Sequence, residues 1–298
     1  MIEKYYSGVI EQIYNRIGKE TRNIVMANYS NDFSIENLEV IRRYQSNEDN
    51  VFFAYSEFSY NTLVGAYEPF LDIICNMHRR FIGGSFDDFQ KECGVYYLHR
   101  QVLNSYYETG ECFREETVLL NEVAYEQRRM TMAIADMLKK LSEVKPLMIV
   151  INRFQMASKS SIETIKYLID NPCANIGIVL GVNAIVKGTD STVEVWDRIV
   201  ESLEDRSAIY YIGSAGPLKN NVKTTNDDEL YITMNFEQSI QEASNIMEFL
   251  DFEQARRGCR IIEHKLKFED AWIDEKSLRR FYMVYARTSV LLGEMSKA

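Results

Sequence analysis

Proline and histidine are both scarce in this chain of 298 residues, with four and three copies. So little proline beside 46% hydrophobic residues is the composition of an ordered globular protein, and the length allows one substantial core or two modest ones. No apolar run approaches the roughly 18 to 20 residues of a spanning helix. The opening MIEKYYSGVIEQIYNRIGKE has no apolar core ahead of a small-residue cleavage site, so neither a membrane span nor a secretory leader is expected. Basic residues are outnumbered 34 to 44, and a net charge of −10 repels phosphate backbones unless a local basic face overrides it; a direct nucleic-acid partner is not expected. The five cysteines (Cys75, Cys93, Cys112, Cys173 and Cys259) are scattered and form no Cys-x-x-Cys pair, which predicts reduced, buried thiols in a cytoplasmic protein.

Local chemistry is sparse as well. Cys93 and His99 do not share a close helical face, and neither His78 nor His264 completes a cage, so no metal is expected. No G-x-S-x-G nucleophile elbow occurs. The acid pairs Asp87-Asp88, Glu115-Glu116 and Asp227-Asp228 read as surface or caps. The basic clusters at 79–81, 127–129, 255–260 and 278–280 read as ion-paired surface, with a small anion or an acidic helix as the alternative occupant. Tyrosine is abundant, at 19 copies, and several occur in pairs; without interleaved Lys and Arg these rings suit core edges better than base stacking.

Ile2, Tyr5, Tyr6, Val9, Ile13 and Ile17 recur at helical spacing and predict a helix over 2–17. Short apolar runs at 24–27, 50–60, 147–151, 175–185 and 208–213 predict strands, separated by helical patterns near 38–44, 63–81, 86–141 and 160–171. Strands that are apolar throughout, alternating with helices, predict a parallel sheet covered on both faces, hence a three-layer α/β domain. The polar run PLKNNVKTTNDDE has no period and predicts a linker. Three helical stripes follow, beginning at Ile240, Phe252 and Leu278. The organisation expected is therefore an α/β domain over 1–216, a linker over 217–229 and an all-α helical-hairpin domain over 230–298.

Within that order, PLMIVINRFQMASKSSIETIKYLI resembles the second nucleotide-binding segment of the signal-transduction ATPases with numerous domains, the AAA-related P-loop family that includes maltose-regulator-like activators. The family's apolar strand ends in two acids; this chain has Asn152-Arg153, then Phe154 to Ser158 and Ser160-Ser161 at the helix start. A phosphate loop needs G-x-x-x-x-G-K-[ST] so that backbone N–H groups and a lysine meet phosphate. The matching stretch runs from Ala27 to Ser34, with Asp32 at the second glycine position, Phe33 at the lysine position and only Ser34 retained. Gly18-Lys19 has no strand before it and reads as a turn. Tyr6 to Glu11 is similar to the family's opening segment, with Val9 at the arginine position; Asn183, just after a strand, stands where the family carries a polar or basic sensor, and its own chemistry equally suits the cap of a turn.

The resemblance implies a P-loop-like core over about residues 5 to 215, with tetratricopeptide-like helices behind it, whose acids and lysine have been replaced. Such a chain is expected to be a noncatalytic regulatory or protein-interaction module with no cofactor, engaging a protein partner or an adjacent domain. Two alternatives stay open. One is a weak or unusual NTPase binding ATP or ADP with magnesium through Asn28, Ser30, Ser34, Asn152 and Asn183. The other is an unrelated α/β protein with an unrecognised ligand pocket, the reading that fewer than four parallel strands would favour.

Overall fold

The structure, a computed structural model, describes residues 2–29, 38–46, 50–59, 63–115, 118, 121–183, 200–201, 203–204, 208–213, 236–268 and 273–293. Five strands, β1 (Ile24–Tyr29), β2 (Phe52–Glu57), β3 (Leu147–Asn152), β4 (Ile176–Asn183) and β5 (Ile209–Ile212), form one sheet in the order β2-β3-β4-β1-β5. Every neighbouring pair is parallel. Strands β3 and β4 are buried at every position, as strands covered on both faces must be. With its flanking helices the sheet makes a three-layer α/β domain, followed by a small helical subdomain.

Helix α1 (Ile2–Arg16) lays Tyr6, Val9, Ile10 and Ile13 on the sheet, where it meets β1, β4 and β5. Glycines on β4 let it approach. A Cβ on Gly177 would stand 2.8 Å from Ile17 Cδ1, and one on Gly181 would stand 2.8 Å from Asn152 Oδ1 and closer still to Tyr6 Oη. Gly18 turns the chain out of α1 with φ +78°, and its N–H donates to the Ala174 carbonyl at 2.8 Å. Helix α2 (Glu39–Ser46) follows, and after β2 the helix expected over 63–81 is shorter than its periodicity suggested. It is α3 (Phe70–Met77), continued by a wide π-turn over His78–Ile82. Pro69 sets the boundary, because the residue before a proline is disfavoured in helical conformation.

The remaining helices are α4 (Phe86–Glu92), α5 (Tyr97–Thr109), α6 (Val123–Val144), α7 (Lys159–Asp170), α8 (Phe236–Glu248), α9 (Phe252–Phe268) and α10 (Glu275–Leu291). Two compact units emerge, neither contiguous in sequence. The first comprises residues 1–59, 69–84 and 134–225, and holds the sheet; the second comprises 60–68, 85–133 and 226–298. The expected linker at 217–229 lies outside the described residues. In the second unit α8, α9 and α10 contact one another in all three pairs. Around them, Asn245 accepts from the Cys112 N–H at 2.9 Å and donates to the Gly110 carbonyl at 3.0 Å, while Gln127 donates to the Leu250 carbonyl at 2.6 Å. No helix among the described residues is long and apolar enough to cross a membrane.

Candidate functional site

Strand order decides which strand ends meet. With β4 between β1 and β3, the C-terminal ends of these three strands stand side by side. The chain leaves β1 toward β2 on one side, while β5 is added on the other side. A crevice for ligands in an open parallel sheet forms at such a reversal, outside the carboxyl ends of the strands.

Register assigns the side chains there to two faces. Tyr29 is level with Asn183, Ala27 with Gly181, and Glu57 with Asn152. Level residues share a face and successive residues alternate. Tyr29, Asn152, Asn183, Gly181 and Glu57 therefore belong to the α1 side of the sheet, and Asn28 to the opposite side. Of the sequence-predicted binding residues, Asn152 and Asn183 fall on one face of the sheet and Asn28 on the other. All three are buried. Ser30 and Ser34 lie outside the described residues, as do Asp32 and Phe33. Asn183 is the last residue of β4, and its backbone N–H donates to Gln155 Oε1 at 3.3 Å.

What fills the α1 side is aromatic and hydrogen-bonded. The Tyr29 hydroxyl donates to Asn152 Oδ1, and Tyr6 meets the Tyr29 ring edge-on with centroids 6.1 Å apart. Both tyrosines and Asn152 are fully buried. Asn152 Nδ2 has no hydrogen-bond partner among the described residues. Burial, then the neighbouring Tyr29, Tyr55 and Glu57, push the Tyr6 phenol well above its ordinary range, so it stays protonated. Next to this cluster Arg153 Nη1 lies 3.1 Å from Glu57 Oε1, and the Tyr55 hydroxyl donates to Glu57 Oε2. Arg153 holds a left-handed backbone, φ +54°, which turns the chain from β3 into the short 3-10 turn Phe154–Met156. Ser158 then caps α7, accepting from the Ser161 N–H at 3.4 Å.

Among the described residues, the end of β3 does not fit a magnesium ion. Hard cations take anionic or carbonyl oxygens in an open shell. Here the Asn152 oxygen is neutral and already accepts from Tyr29, the cation Arg153 follows it, and the nearby Glu57 carboxylate is engaged by Arg153 and Tyr55. Among the described residues no three His, Cys, Asp or Glu side chains come together as a metal cage.

A second polar cluster lies within the helical unit. His99 Nε2 is 2.7 Å from Glu126 Oε2, and Arg129 Nη1 is 3.3 Å from Glu126 Oε1. Arg287 Nη1 is 2.9 Å from Glu248 Oε1, and Arg114 Nη2 donates to the Glu248 carbonyl at 3.0 Å. Burial lowers the His99 pKa to about 4; the bond to Glu126 opposes that shift, and the charges of Arg114 and Arg129 reinforce it. The imidazole is neutral near pH 7, and these bonds join α5 to α6, and α8 to α10 and to Arg114.

Sequence reasoning singled out Asn152 and Asn183 but left Tyr6, Tyr55, Glu57 and Gln155 unassigned, because their meeting depends on strand order. The usable signal was parity at strand ends, which puts the last residues of β1 and β3 on one face. Compared with known proteins, the chain matches no family model, and no curated protein is significantly similar to it in sequence.

Proposed function

We propose that this chain is a noncatalytic regulatory or protein-interaction module, built on the framework of a signal-transduction P-loop ATPase and carrying tetratricopeptide-like helices. The observation that carries the reading is the end of β3. Asn152, in the place of a metal-holding acid, is bound by Tyr29 at the end of β1, and Arg153 is paired with Glu57. Metal-assisted phosphoryl transfer depends on positioned charge at that point. A neutral carboxamide capped by a buried phenol does not supply it.

The five-stranded parallel sheet supports the framework, since it exceeds the four strands below which an unrelated fold was favoured. Its order, which sets β1, β4 and β3 side by side, supports the same reading.

Calorimetric titration with ATP and ADP, each with and without magnesium, beside a phosphate-release assay, tests the proposal. The expected result is no turnover above the protein-free blank. Magnesium-dependent release that disappears in Ser34→Ala overturns it. Tight nucleotide binding without turnover replaces it with the nucleotide-retaining alternative.

A further inference from the structure

We draw no further inference here: the strongest candidate, the polar cavity of about 600 Å³ between residues 110–111, α8 and the start of α10, has Arg280 already paired with Glu111 at 3.7 Å and Asp274 already accepting from the N–H groups of Lys276 and Ser277, and nothing in the structure shows what covers it.

Discussion

Tyr29 and Asn152 show how far the properties of a site depend on single side chains. Their hydrogen bond is fully buried, so removing its donor leaves a buried carbonyl oxygen without that bond. Tyr29→Phe is expected to lower unfolding stability by about 1 to 2 kcal/mol in urea titration, with no change in the secondary structure seen by circular dichroism. His99 provides a pH test. Its folded pKa, lowered to about 4 from an ordinary 6.5, means that the unfolded chain binds the proton first. The stability it contributes is complete above about pH 6.5 and is lost as the pH falls toward about 4. Denaturation midpoints at pH 7, 6 and 5 should therefore fall more steeply in the native chain than in His99→Gln; equal slopes would show that His99 does not carry the effect.

Elements were more legible in the sequence than their limits. Apolar runs at 147–151 and 175–185 correspond to β3 and β4, because a strand buried on both faces must be apolar throughout. The helix expected over 63–81 begins at Phe70, since periodicity alone does not register the barrier set by Pro69. Nor did it reveal why β4 holds two glycines. Gly177 and Gly181 are the contact line for α1, but the contacts differ. A Cβ at Gly177 presses on half-exposed Ile17 and, at 3.0 Å, on buried Ile13, whereas one at Gly181 presses closer still on buried Tyr6 and on buried Asn152. Gly181→Ala is expected to cost about 1 to 3 kcal/mol by overpacking, and Gly177→Ala less; thermal melts of the two variants decide the order.

At the scale of the whole molecule, the helices of residues 236–293 share their compact unit with 60–68 and 85–133. Phe249 meets Tyr67 and Tyr106 edge-on at 5.6 and 6.2 Å, and Asn245 satisfies backbone groups of Gly110 and Cys112. Without those partners the apolar side of α8 is exposed, so a fragment of residues 230–298 is expected to lack a cooperative thermal transition and to bind a hydrophobic dye. A sharp melt of that fragment would instead establish it as an autonomous domain. The sequence by itself determined the α/β alternation and the apolar strands, because burial is written residue by residue. Tertiary structure alone decided that Tyr29 meets Asn152 and that Glu57 stands level with it. Strand order and register are set by packing between segments distant in sequence, and no local periodicity encodes which strand lies beside which.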